Sequence, residues 1–476
     1  MTIGRPVNLV RALVAHSLFS DRRLLGSAAI VAGGLFSSKV LGLVREILIA
    51  RTFGTRGDLD AFYAATSFSD LLFSLIAGGA LASVFIPVLS TYLAQNGDGS
   101  KAEAETGWQF SSAVINAVFV IVGLFSAFGM VVAPQIVEHF LAPGFSPERQ
   151  ALTAALLRLV LISTVIFGVS GTLTGILHAH NHFLLPSLAP SLYNLGIIAG
   201  AVLLAPRWGI MGLAYGVVAG SALHLLIQVP GLVRYRARYF LTLGIRLDGT
   251  RHLIELLGPR VITMGAVRLT FIIMTNLASR LGEGSISALS YAYSVWQFPE
   301  SLIGTAIALA VFPRLAARAV EGNMRELRRT YHLALFSILA LAVPAALVLI
   351  LFPEPIIRLL FQRGEFGDAS VAVVALVLRF YALAVVGESL LELTSRIFYA
   401  RHDARTPMWV ALGSMLARVG MMLWWNTLWG AAGIALAYAV GVGLEGGALY
   451  WLARAGLAAE TGPAVLQAAT PAKEIE

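Results

Sequence analysis

The stretch Ser37–Ala65 reads SSKVLGLVREILIARTFGTRGDLDAFYAA and places Lys39, Arg45 and Glu46 inside residues 24–53, a segment otherwise long and apolar enough to cross a bilayer. A charge at that depth is costly, so it faces a polar cavity or an ionic partner rather than lipid. On a helix Lys39, Gly42 and Glu46 share one stripe, and Arg45 stands roughly 100° round from Glu46. The segment therefore predicts a hydrated, basic interior that handles an anion.

The rest of the chain agrees with a polytopic membrane protein. Hydrophobic residues make up 58% and charged residues 13% of 476, and the mean hydropathy is +0.79, against about 25% charged in an ordinary soluble domain. Cysteine is absent, which excludes disulfides and thiolate metal sites. Apolar stretches of spanning length fall near 24–53, 61–94, 108–133, 151–177, 183–206, 208–232, 252–279, 285–313, 330–352, 369–400, 406–429 and 431–453, so twelve transmembrane helices are expected.

Arginine sets the orientation. Arg5, Arg11, Arg22 and Arg23 precede the first span; Arg234, Arg236, Arg238, Arg246 and Arg251 follow the sixth; Arg314, Arg318, Arg325, Arg328 and Arg329 follow the eighth. With twelve spans these all lie on one side, which the positive-inside rule makes cytoplasmic, together with both termini. The net charge of +8 is this bias, and nucleic acid is not an expected partner. Residues 1–23 read as an interfacial amphipathic segment, 24–232 as a first six-helix lobe, 233–251 as a basic cytoplasmic linker, 252–455 as a second lobe and 456–476 as a disordered tail.

The two lobes echo each other. GGALASVFIPVLS around Pro87 parallels GTAIALAVFPRLA around Pro313; APQIVEHFLAPGFS parallels FPEPIIRLLFQRGEFG; HAHNHFLLPS parallels YARHDARTPM, with Pro186 and Pro407 in register. Parallel six-helix repeats hold substrate between them and alternate access, which points to a transporter. No nucleophile–base constellation and no phosphate-loop spacing stand out, so neither an enzyme nor a nucleotide-driven pump is expected, and no cofactor is called for.

At the level of motifs the chain resembles the MurJ/MviN family of lipid II flippases, within the multidrug/oligosaccharidyl-lipid/polysaccharide exporter superfamily. The opening segment carries the resemblance, joined in order by AGGALASVFIPVLS, LAPGF (Leu141–Phe145), FPESLIG (Phe298–Gly304), RLLFQRGEF (Arg358–Phe366) and FYARHDARTP (Phe398–Pro407). It implies an all-α fold of two six-helix lobes forming a V around a central cavity. It also implies export of a polyprenyl-diphosphate-linked cell-wall precursor from inner to outer leaflet of the inner membrane, by a protein expected as a monomer near cell-wall synthesis enzymes. By the same resemblance Lys39 and Arg45 hold the diphosphate, with Glu46 and Asp60 at matching acidic positions. The family pattern is departed from near Phe73 and Ser74, where a basic residue is usual, and at Tyr293, Ser294 and Gln297, which stand where ionisable groups are usual. Family members also continue for two further helices beyond the twelfth. Other readings that these departures keep open are a flippase for another lipid-linked oligosaccharide, a cation-coupled exporter of the same superfamily, and a non-transporting scaffold.

Several residues carry two readings each. Lys39 and Arg45 contact the anion or pair internally with Glu46 or Asp60. Asp60 caps its own helix or serves the cavity. Asp70, Arg268 and Glu300 lie inside apolar spans; Arg268 restores a cation lost near Ser294, with Asp70 or Glu300 as counter-ion, or the three are structural. Glu388, Glu392 and Arg396 form one stripe, and Arg418 and Glu445 sit on successive spans; both sets are local ion pairs or ion-coupling groups. His178, His180 and His182 fan apart at alternate spacing without acidic neighbours, so no metal site is expected.

Overall fold

A computed structural model describes residues 22–76, 85–92, 101–244, 265, 267–401 and 403–459. The expected interfacial segment up to residue 21, the linker residues Arg246 and Arg251, and the tail from 460 lie outside the described residues. Every regular element among the described residues is helical. Among the described residues eight helices are long and apolar enough to cross a membrane by length and composition, and the chain is an all-α polytopic membrane protein.

The elements used below are α1 (Arg22–Phe53), α2 (Gly57–Ile76), α3 (Lys101–Val131), α4 (Pro147–Ala179), α5 (Leu184–Ala199), α6 (Ile210–Leu226), α7 (Val267–Ser279), α8 (Ser285–Glu300), α9 (Ala306–Val320), α10 (Met324–Leu351), α11 (Pro353–Phe361), α12 (Asp368–Tyr381), α13 (Leu383–Ala400) and α14 (Arg405–Ala459). The chain divides into two compact units. The first comprises Met1–Val295, Leu351–Phe380 and Val419–Ala437; the second comprises Trp296–Ile350, Tyr381–Arg418 and Tyr438–Glu476.

In the first unit α1 packs on α5, α5 on α6, and α2 on α4. Small residues allow the closest of these approaches: a methyl group at Gly196 or Gly216 would collide with the backbone of the facing helix. Phe85, Phe110, Val114, Val118, Val122 and Ile176 form one apolar cluster between α3, α4 and residues 85–92. In the second unit Trp296 is buried against Tyr381 and Tyr438, each ring 6.0 Å away, and the hydroxyls of Tyr331 and Thr394 meet at 3.0 Å.

The internal repeat returns as backbone geometry. Gly209 separates α5 and its extension to Trp208 from α6, with φ 54° and ψ −138°. Gly430 breaks α14 with φ 54° and ψ −133°, so that one apolar run of 55 residues becomes two helices. These two glycines stand at the same offset as Pro186 and Pro407, and positive φ at both suits a residue without a Cβ. Residues 406–429 and 431–453 are thereby two helices, as their separate hydropathy required.

Candidate functional site

Arg45 and Glu46 are one peptide apart on α1 and share a polar cluster with Asn194 and Tyr63 in the first unit. Glu46 is buried, and its Oε1 accepts from Arg45 Nε at 3.2 Å and from Arg45 Nη2. Its Oε2 accepts from the Tyr63 hydroxyl on α2 at 2.8 Å. Arg45 Nη1 donates to Asn194 Oδ1 on α5 at 2.9 Å, and the Asn194 amide in turn donates to Ser38 O and Pro190 O, both at 3.1 Å.

A guanidinium has five N–H donors. Three of those of Arg45 are used by Glu46 and Asn194. Among the described residues two remain, one on each terminal nitrogen, and the side chain keeps 25% of its surface exposed. Arg45 and Glu46 thus pair with each other, and the guanidinium keeps two N–H groups outside that pair. Lys39, one and a half turns earlier, has an exposed side chain.

Asp70 and Arg268 both belong to this unit. Asp70 is exposed on α2, close enough to Arg268 and Arg45 for both cations to act on it. Arg268 on α7 is half-buried and lies over the Phe271 ring, 6.0 Å from its centroid. Asp60 does something other than cap its own helix. Its Oδ2 accepts from Gly284 N at 2.6 Å, and its Oδ1 accepts from Ser287 N at 2.7 Å and from Ser287 Oγ. It thus satisfies the open N–H groups at the start of α8. Around it the α1–α2 turn is gripped from several sides: Tyr291 Oη donates to Gly54 O at 3.1 Å, Glu365 N to Arg51 O at 3.0 Å, and Thr55 Oγ1 meets Ser370 Oγ at 2.8 Å.

The remaining candidates lie in the second unit. Glu300 is buried and accepts from Thr305 Oγ1 at 3.0 Å. Glu388 accepts from the Tyr438 hydroxyl at 2.8 Å. Glu392 and Arg396 pair at 3.2 Å, with Arg396 also over the Phe312 ring. Arg418 and Glu445 form a buried pair at 2.9 Å, the guanidinium stacking over Tyr438 at 5.0 Å. At the positions that depart from the family pattern, Tyr293 packs edge-on against Phe271 and Ser294 Oγ donates to Tyr291 O. His180 is sandwiched between Trp108 and Tyr235, an aromatic stack at the end of α4.

Residues 49–469 match the family model described as lipid II flippase MurJ. The chain belongs to the MurJ lipid II flippase family. It is 32% identical over 423 residues to the lipid II flippase MurJ of Burkholderia cenocepacia, covering 87% of this chain and 81% of that protein. The probable lipid II flippase MurJ of Thermotoga maritima is 30% identical over 408 residues, 86% and 80% of the two chains. Among solved structures, MurJ in an inward closed conformation superposes with TM-score 0.78 at 25% identity, covering 89% of this chain and 87% of that one. An inward-facing multidrug transporter of the MATE family, 15% identical with TM-score 0.74, shares the fold, which extends over 89% of this chain and 95% of that one. MurJ flippases are transporters and not catalysts, and the chain is a multi-pass membrane protein.

Proposed function

We propose that the chain moves lipid II, a polyprenyl-diphosphate-linked peptidoglycan precursor, from the inner to the outer leaflet by alternating access. The observation that carries the headgroup assignment is the half-used guanidinium of Arg45. Glu46 and Asn194 fix its plane while two N–H groups stay open, which suits a phosphate oxygen pair better than a lone ammonium would. Arg268 supplies a second cation, with Asp70 an acid within reach of its charge and Lys39 as an outlying contact. The arginine bias puts both termini in the cytoplasm and the α1–α2 turn outside. Membrane lipids surround the protein, and the lipid tail of the substrate stays among them. Glu388, Glu392, Arg396, Arg418 and Glu445 are the groups from which ion coupling would be drawn, with Glu300 beside Glu388.

The test is complementation of a flippase-depleted strain, with lipid II accessibility measured at the outer leaflet. The unaltered chain restores accessibility, and Arg45→Gln at normal membrane levels does not. Failure of the unaltered chain despite normal insertion rejects lipid II as substrate; full restoration by Arg45→Gln rejects the headgroup assignment alone.

A further inference from the structure

Tyr63 stands between the candidate headgroup site and the closed turn of α1 and α2. Its hydroxyl donates to Glu46 Oε2, while the opposite carboxylate oxygen holds Arg45. Its ring meets the Tyr291 ring edge-on, centroids 6.2 Å apart and planes at 85°. Tyr291 is fully buried, packs on Phe361 and Phe366, and donates its hydroxyl to Gly54 O at the end of α1.

The register of the two helices makes this a ladder. Asp60 and Tyr63 are three residues apart on one face of α2; Ser287 and Tyr291 are four apart on one face of α8. Asp60 grips Ser287 and Tyr63 touches Tyr291, so α2 and α8 are joined by two rungs. Among the described residues Glu46 is the one group that hydrogen-bonds to both Tyr63 of this ladder and the cation. An anion arriving at Arg45 competes with Glu46 for the guanidinium. A released Glu46 is held by the Tyr63 hydroxyl alone, and a buried carboxylate left with one donor moves to improve that bond.

We propose that Tyr63 is a positioning residue that transmits the occupancy of Arg45, through Glu46, to the Tyr291 clamp on the α1–α2 turn. The relay rests on the reading of Arg45 as the diphosphate contact. It requires the phenolic oxygen, not the ring, so Tyr63→Phe is the informative variant: the edge-on contact with Tyr291 is kept and the link to Glu46 is cut.

The chain has no cysteine, so Ser370→Cys introduces a single thiol at a buried position beside Thr55. Its labelling rate is measured in nanodiscs with and without undecaprenyl diphosphate, alongside binding of that lipid. In the parent protein the diphosphate changes the rate by about 5-fold or more, the scale set by one hydrogen bond. Tyr63→Phe binds the diphosphate within about 3-fold of the parent, less than a full hydrogen bond is worth, yet shows no rate change. Tyr291→Phe raises the rate without ligand. A parent-like response in Tyr63→Phe overturns the relay, as does loss of binding in that variant, which would make Tyr63 part of the binding site. A parent that binds without a rate change also overturns it. Undiminished binding by Arg45→Gln instead rejects the underlying site, an outcome the Tyr63 arms do not mimic.

Discussion

Asp60 and Ser287 lie 227 positions apart in the chain, yet the carboxylate of one accepts both the backbone N–H and the hydroxyl of the other. An acid near the start of α2 thus caps the start of α8, within the same compact unit. The bond couples the α1–α2 turn to the start of α8, and Glu283 extends the grip by accepting from Gly57 N and pairing with Arg149 at 3.1 Å.

Asp60→Ala should be destabilising. It strands the N–H groups of Gly284 and Ser287 in a buried place, at a cost of about 1–3 kcal/mol. Thermal unfolding of the purified variant should show a lowered midpoint, whereas an unchanged midpoint would mean that water replaces the carboxylate and the turn is loose.

Replacement of Arg45 by lysine keeps the charge and loses the fork. A single ammonium cannot bridge Glu46 and Asn194 and still present two parallel donors, so affinity for undecaprenyl diphosphate should fall about 10-fold or more. Titration of the purified variant against the parent measures this; equal affinity would reduce the site to charge alone.

Arg268→Gln should abolish outer-leaflet lipid II accessibility at normal protein levels and with a normal unfolding midpoint. Loss of folded protein would instead assign Arg268 to the packing of α7, where it already lies over Phe271.

Arg418 and Glu445 form a buried pair, and breaking it from one side leaves a bare charge. Arg418→Met alone should cost about 3–5 kcal/mol, and adding Glu445→Leu should recover most of it. Denaturation of single and double variants decides this. A double variant that is stable but inactive would give the pair a role in transport.

Asp403 opens α14 by accepting from Arg405 N and Thr406 N, each at 3.0 Å, and from Thr406 Oγ1 at 2.6 Å. The Thr406 hydroxyl, together with these amides, lowers its pKa from the usual carboxylate value. Its contribution to stability is therefore present above the unfolded-chain pKa of about 3.9 and is lost as pH falls through the lower folded value. Asp403→Ala should cost about 0.5–2 kcal/mol at neutral pH and flatten that acid limb, read from unfolding midpoints across pH.

Much of the architecture was legible in residue order. Helical class follows from apolar runs that only a helix can carry through lipid, and the repeat offset found between Pro186 and Pro407 reappears at Gly209 and Gly430. Arg45 and Glu46 announced themselves as charges out of place. Asn194 did not, because an amide in LAPSLYNLG is unremarkable until α5 is seen beside α1. A lone amide within an apolar span was the signal available. Asp60 looked like a cap for its own helix since local spacing is all that a sequence displays, and its true partners are far along the chain.

Hydropathy and charge placement alone determined that this protein lives in a bilayer and that Arg45 and Glu46 stand inside an otherwise apolar helix. Those properties depend on transfer free energies of single residues, which need no neighbours to be evaluated. Which hydrogens of Arg45 stay open, which helix Asp60 caps and which tyrosine reaches Glu46 were decided only by tertiary structure. Each is a competition between distant groups for the same lone pairs, and its outcome depends on directions and distances that no linear spacing encodes.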